Sequence, residues 1–184
     1  WLGVDSSMEN ELALYRWRGR DLVADRLNLA PAQRADLAAR LRINALPQNR
    51  YYAYDYFRDN CATRVRDMLD LVVGGALKRA TVGKPAEGTL RFHTRRSITN
   101  DRFLSVAIDA AFGPGVDRQL DQWDEMFLPE KVQQRVRELS IPGADGREVP
   151  LVDAEFPLLT LGKYHVDPAP PNWTGPFLLI GLAI

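Results

Sequence analysis

Apolar residues recur most regularly after Asn60. Val65, Met68, Leu69, Val72, Val73 and Ala76 follow one another at helical spacing, and Arg64, Arg66, Asp67 and Asp70 fall largely on the other side. The pattern predicts an amphipathic helix with Asp59 or Asn60 as its N-cap and Gly74-Gly75 at its end. Tyr15 to Leu29 reads as extended structure around a turn at Gly19. Pro31 is placed to open a helix whose stripe is Leu37, Ala38, Leu41 and Ala45, ending near Leu46-Pro47. The aromatic run from Arg50 to Phe57 suits a strand, and Thr81 to Gly88 a loop. Asn100-Asp101 is placed to cap a helix running to Ala111 and closed by Gly113-Pro114-Gly115. A further helix spans Pro129 to Leu139 and is broken by Ile141-Pro142-Gly143. Asp145-Gly146 marks a turn between short extended pieces, the second at Val149 to Val152. The expected class is α+β in one domain, residues 1–166, with a tail from about Asp167.

Composition narrows the function classes. A 46% hydrophobic chain of 184 residues can bury one sizeable core. Lys+Arg and Asp+Glu stand at 24 each, so no electrostatic footprint for nucleic acid exists. A single cysteine excludes a disulfide framework and a cysteine-rich zinc site. With His93 and His165 widely spaced from it, no metal-ligand pattern and no cofactor motif is present. Asp109, Asp117, Asp121, Asp124 and Glu125 lack the spacing of a calcium loop and read as caps and surface pairs. The tyrosines at 51, 52, 54 and 56 more naturally pack a sheet than stack bases.

The candidate chemistry centres on Cys61. It falls in the first turn of the predicted helix, where unpaired N–H groups and the helix dipole favour a thiolate. It also shares a helical face with Val65, Met68 and Val72, which allows a plain buried cysteine. A nucleophile needs a base, and His93 is the natural one to test within this chain, against the alternative of a hydrogen-bonded histidine in a basic stretch. Around Cys61, the residues Asp59, Asn60, Thr63 and Arg64 are placed to cap or support the turn. Arg91, Arg95 and Arg96 form a cluster suited to a phosphate head group or to structural pairing.

The C-terminal pattern is a Pro-rich stretch, Pro168 to Pro176, with Trp173 before an eight-residue apolar run, Phe177 to Ile184. As a helix that run is about 12 Å long against a hydrocarbon core of roughly 30 Å. Residues 167–184 therefore read as a linker and the first turns of a transmembrane helix cut short, with a buried strand as the alternative.

The run from Tyr54 to Asp67, with its core Asp59-Asn60-Cys61-Ala62-Thr63-Arg64, resembles the N-terminal periplasmic domain of the Lnb-type bacterial lipoprotein N-acyltransferases. Gly19-Arg20, Leu27-Asn28-Leu29, Thr89-Leu90-Arg91, Ile108-Asp109, Gly113, Asp117 and Glu125-Met126-Phe127-Leu128-Pro129 extend the likeness in order. The resemblance implies a permuted papain-like thiol-enzyme scaffold, with added helices after the cysteine helix and an incomplete N-terminus. Cys61 is then the acyl-accepting nucleophile. A phospholipid is the acyl donor, a lipoprotein amine the acceptor, and the periplasmic face of the bacterial inner membrane the location. The family's histidine comes from upstream of the cysteine, yet no histidine precedes Cys61 here. The expectation is a fragment beginning at Trp1 that is inactive alone. A thiol hydrolase, peptidase or amidase, on the same scaffold and a non-catalytic periplasmic interaction domain stay open as alternatives.

Overall fold

The structure, a computed structural model, describes residues 7–49, 51–98, 102–143, 146–162 and 168–172. The chain is α+β and divides into two compact units. The first comprises Trp1–Pro85 and Asp121–Tyr164, the second Ala86–Leu120 and His165–Ile184.

The first unit opens with α1 (Met8–Arg18), capped by the Ser7 hydroxyl, which accepts from the Asn10 amide. Gly19 closes α1 at φ 65°, a left-handed geometry that glycine adopts without a Cβ penalty. Tyr15 to Arg18 is thus helical, where an extended segment was expected. α1 buries no residue, so its pattern carried no periodic signal. Strand β1 (Leu22–Leu27) does follow the turn, and pairs antiparallel with β6 (Val152–Leu159) from Leu22↔Leu159 to Leu27↔Val152. Between them in sequence run α2 (Pro31–Ala45), α3 (Cys61–Val72) and α4 (Ala76–Thr81). α2 begins at Pro31 and stops before Pro47, as its punctuation predicts. The amide of Gln33 on α2 donates to the Val72 carbonyl at 3.3 Å and ties α2 to the end of α3.

After Asp121 the same unit holds the short α7 (Gln122–Glu125), α8 (Pro129–Glu138) and the hairpin of β4 (Ser140–Pro142) with β5 (Glu148–Pro150). Its core gathers Leu69, Val72 and Val73 of the α3 region with Leu77, Met126, Val132, Val136, Ile141 and Leu151. Leu77, Met126 and Leu151 are wholly inaccessible.

The cysteine helix is where the sequence placed it, but it is rotated. The buried side carries Ala62, Thr63, Arg66, Leu69, Asp70 and Val72, while Val65 is 54% and Leu71 60% exposed. The cause is two buried, partnered charges. Arg66 stacks 4.1 Å from the Trp123 ring centroid and donates to the Trp123 carbonyl at 3.0 Å. Asp70 accepts from the Lys78 amide at 2.8 Å and so caps α4. Buried charges persist only when satisfied in this way. Two other expectations also change. Residues 51–57 form no strand: only Asp55 bridges, to Asp59, and the tyrosines line a loop. The stretch 81–88 contains the end of α4 and most of β2 (Pro85–Thr89) rather than loop alone.

In the second unit, α5 (Leu90–Ser97) is capped by Thr89, whose hydroxyl accepts from the Phe92 amide. α6 (Arg102–Ala111) precedes a 3-10 turn at Pro114–Asp117. β2 pairs with β3 (Gln119–Asp121), and the Gln119 amide reaches the Ala86 carbonyl at 2.8 Å. The expected cap at Asn100-Asp101, the turn residue Asp145, His165 and the apolar run from Phe177 lie outside the described residues.

Candidate functional site

The loop before α3 is folded by its own polar groups. Asp55 and Asp59 exchange backbone bonds of 3.1 and 3.0 Å. The Asp55 carboxylate accepts from the amides of Phe57 and Arg58 at 2.9 Å each. Such a side-chain turn lets the chain reverse within five residues and enter the helix directly. Two of its rings pack against one another and on Phe127, although Tyr56 stays exposed: Tyr56 meets Phe57 edge-on at 4.9 Å, and Phe57 meets Phe127 at 5.3 Å.

Asn60 then sets the first turn of α3. Its carboxamide oxygen accepts from the Thr63 amide at 2.9 Å, and the Thr63 hydroxyl accepts from the Asn60 amide at 2.8 Å. This is a reciprocal capping box built from Asn and Thr. The Asn60 side-chain NH2 donates to the carbonyls of Tyr56 and Phe127, both at 2.8 Å. Asn60 is 4% and Thr63 1% exposed, so these bonds are made away from water. The Phe127 segment is held in turn by Glu125, which is fully buried between Lys131 at 3.7 Å and Arg135 at 3.6 Å. Glu125 was expected in a surface pair. It is instead fully buried in the first unit, where two cations from the next helix converge on it.

Cys61, the residue following this cap, is exposed. The reading of it as a core residue is therefore set aside: the rotation of α3 turns its thiol to solvent along with Val65. Arg64 lies one turn on. It donates to both oxygens of Asp59, at 2.7 and 2.9 Å, and its guanidinium sits 3.5 Å from the Tyr52 ring centroid. The pairing with Asp59 pushes Arg64 above the ordinary guanidinium range. The Tyr52 hydroxyl is pushed up chiefly by burial, with Asp59 and Cys61 adding to it. Tyr54 shifts the same way, through burial and then the charge at Cys61.

The structure thus brings Asp59, Asn60, Thr63 and Arg64 together around Cys61. Sequence reasoning missed Tyr52, Tyr54 and the Phe127 carbonyl as members of this neighbourhood. The aromatic run is visible in the sequence, but residue preference alone suits it to a strand. The Phe127 contact, with a side-chain amide meeting a carbonyl 67 residues away, has no local signature.

The remaining candidates lie in the second unit. Arg91 donates to Asp117 at 2.6 and 3.2 Å, to the Asp109 carboxylate at 3.0 Å, and to the carbonyls of Asp109 and Phe112. These bonds hold Asp117 below the usual carboxylate range. Arg95 pairs with Asp109 at 3.3 Å and reaches the Pro171 carbonyl at 3.3 Å. Arg96 is buried and donates to Nδ1 of His93 at 3.1 Å. His93 is fully buried, edge-on to Phe92. Arg91 and Arg95 hold α5 to its surroundings, whereas the Arg96 bond to His93 lies within α5.

Among the described residues, no group of three or more His, Cys, Asp or Glu is arranged to hold a metal ion. Among the same residues, no helix is long and apolar enough to cross a membrane. No curated protein and no solved structure matches the chain. A protein family does: the Lnb N-terminal periplasmic domain matches residues 7–100, more than half of the chain, including Tyr52, Tyr54 and Asp59 to Arg64 around Cys61. The chain belongs to the family of Lnb N-terminal periplasmic domains, and its place is the periplasm.

Proposed function

We propose that this domain is the periplasmic portion of a membrane-anchored, cysteine-dependent acyltransferase on a permuted papain-like scaffold. The observation that carries the reading is an exposed thiol in the first turn of a helix whose cap is buried and fully bonded. A nucleophile must be open to substrate yet rigidly placed, and this arrangement supplies both. The Cys61 sulfur attacks the ester carbonyl of a phospholipid. A C–S bond forms, the ester C–O bond breaks, and the lysophospholipid leaves with a proton. The amine of a lipoprotein then attacks the thioester carbonyl, the C–S bond breaks, and the thiol is restored as the amide forms. Two such steps replace one difficult transfer.

The base is proposed to lie outside residues 1–184, as the family resemblance implies. His93 is already engaged by Arg96 and Phe92.

The test is to incubate the full-length protein with phospholipid and look for an acyl adduct on Cys61 by intact mass. The expected adduct is released by hydroxylamine, moves to an added lipoprotein amine, and is lost in Cys61→Ala. Release as free fatty acid in the presence of the amine would assign a hydrolase instead. Undiminished transfer by Cys61→Ala would overturn both thiol readings.

A further inference from the structure

Beside the cysteine turn, a groove of about 660 Å³ runs between α2 and the outward face of α3. Its apolar lining is Ile43, Met68 and Leu71, and Ile43 and Leu71 are 57% and 60% exposed. Its cationic lining is Arg40, already paired with Asp36 at 2.9 Å, together with Arg58 and Arg64. The two carboxylates in the wall are already paired: Asp59 with Arg64 at 2.7 Å and Asp67 with Arg66 at 2.7 Å. Arg58 has no ion pair among the described residues, and its side chain is exposed. Arg64 directs Nε and Nη2 to Asp59, which leaves Nη1 without a described partner. The groove therefore combines aliphatic surface with surplus positive charge at one end.

Helix geometry relates this groove to the thiol. At about 100° per residue, Cys61, Arg64, Met68 and Leu71 fall within a sector of roughly 80° on α3, and Leu71 lies about 15 Å along the axis from Cys61. Cys61 does not itself line the groove, but Asp59 and Arg64 on either side of it do.

We infer that this groove binds one chain of an anionic lipid, with the head-group phosphate at Arg58 and Nη1 of Arg64 and the chain laid over Met68, Leu71 and Ile43. A guanidinium pair without carboxylates to spare matches a net negative head group better than a zwitterionic one, whose own cation meets no free acid in the wall. In this pose the ester, adjacent to the phosphate, falls at the Cys61 end of the groove. The inference rests on the acyl-transfer reading only for what happens at that ester.

Binding is measured in the full chain carrying Cys61→Ala, so that no turnover intervenes. The probes are monomeric dodecanoyl lysophosphatidylglycerol, dodecanoyl lysophosphatidylcholine and inorganic phosphate, followed by calorimetry. The glycerol lipid is expected to bind about five-fold tighter than the choline lipid, and Arg58→Ala to bring that ratio close to one. Leu71→Glu should remove binding of both lipids with the circular dichroism unchanged, since Leu71 is exposed. Inorganic phosphate should neither bind measurably nor displace the lipid; full displacement would mark a free-anion site and overturn the lipid assignment. Absence of saturable lipid binding, or equal binding in Leu71→Glu, would also overturn it. Lipid binding without acyl transfer by the full-length enzyme would leave the groove standing and sink the thiol chemistry. Acyl transfer undiminished in Leu71→Glu would do the reverse.

Discussion

Replacing Asn60 by aspartate separates the two tasks of its side chain. Aspartate is as good an N-cap as asparagine, so the bond from the Thr63 amide is kept. What changes is the NH2 group that donates to the Tyr56 and Phe127 carbonyls at 2.8 Å. At pH 7 Asn60→Asp would aim a carboxylate oxygen at two carbonyl oxygens in a site 4% exposed. Losing the donors from buried acceptors costs about 1–3 kcal/mol, and charge burial adds to it. The expected loss is about 2–4 kcal/mol, read as a lower midpoint in urea unfolding followed by circular dichroism. The pH dependence has a definite sign. The introduced carboxyl prefers its neutral form in the folded state, so its pKa is raised on folding and the folded state holds the extra proton. Stability relative to the native sequence must then recover as pH falls from 7 toward 5, because a protonated carboxyl again donates to one carbonyl. If Asn60→Asp unfolds within about 0.5 kcal/mol of the native protein at pH 7, the carbonyl bonds do not hold the cysteine turn. A loss that stays constant from pH 7 to 5 would refute the electrostatic part of the reasoning alone.

Three further outcomes follow from other contacts. Asp25 is held below the usual carboxylate range chiefly by hydrogen bonds from Arg137, at 2.7 and 3.0 Å. Its contribution is therefore complete above about pH 4 and lost as pH falls through the lowered folded value. Arg137→Met should cost about 1 kcal/mol at pH 7, and the gap in unfolding free energy should narrow as pH falls below about 4; a gap independent of pH would contradict the pairing. Arg91→Lys keeps the charge but cannot reproduce the forked contacts to Asp117 and Asp109. Amide hydrogen exchange in α5 and α6 should accelerate about ten-fold, a loss near 1.4 kcal/mol, and unchanged protection would reject Arg91 as their fastener. At Gly88 an added Cβ would lie 2.6 Å from Cδ1 and 2.8 Å from Cγ of Phe92. Gly88→Ala should cost about 1–3 kcal/mol by overpacking, and a thermal midpoint equal to that of the native protein would show that Phe92 moves aside freely.

What was legible from sequence was what local chemistry decides. Asn60 and Thr63 announce a helix start because capping spans only three residues, and Pro31 and Gly74-Gly75 punctuate for the same reason. The α3 segment itself was legible, and so was the place of Cys61 in its first turn. The face of α3 was not. Arg66 and Asp70 are polar letters in any pattern, and their burial depends on Trp123 and Lys78, partners that no periodicity reveals. Helix α1 escaped for the opposite reason: it buries nothing, so its sequence signals are confined to its ends, the Ser7 cap with Glu9 and Glu11 at one and Arg16, Arg18 and Gly19 at the other. The aromatic run before α3 was read by residue preference as a strand. Asp55, bonding to the amides of Phe57 and Arg58, makes it a turn.

The rotation of α3 inverts the usual arrangement of an amphipathic helix. Its inner side takes a guanidinium and a carboxylate out of water, while Val65, Leu71 and the thiol face outward. Fully burying a Val or Leu side chain is worth about 1.5–3 kcal/mol. Turning α3 by about 90° would recover some of that, but would expose Leu69 and Val73 and strip Arg66 from Trp123. The fold holds α3 in the orientation that leaves an apolar strip in solvent beside an open cysteine. Packing of the first unit gives no return for that strip, since its core closes on the other face. In the pose proposed above the lipid chain would cover that strip, and the arginines lining the groove would favour a head group that carries negative charge. The exposed strip and the exposed thiol thus have one physical origin, the anchoring of Arg66 and Asp70. A variant that frees α3 to rotate, Arg66→Leu, should hide both together, lowering lipid binding and thiol alkylation in parallel. Loss of one without the other would separate them.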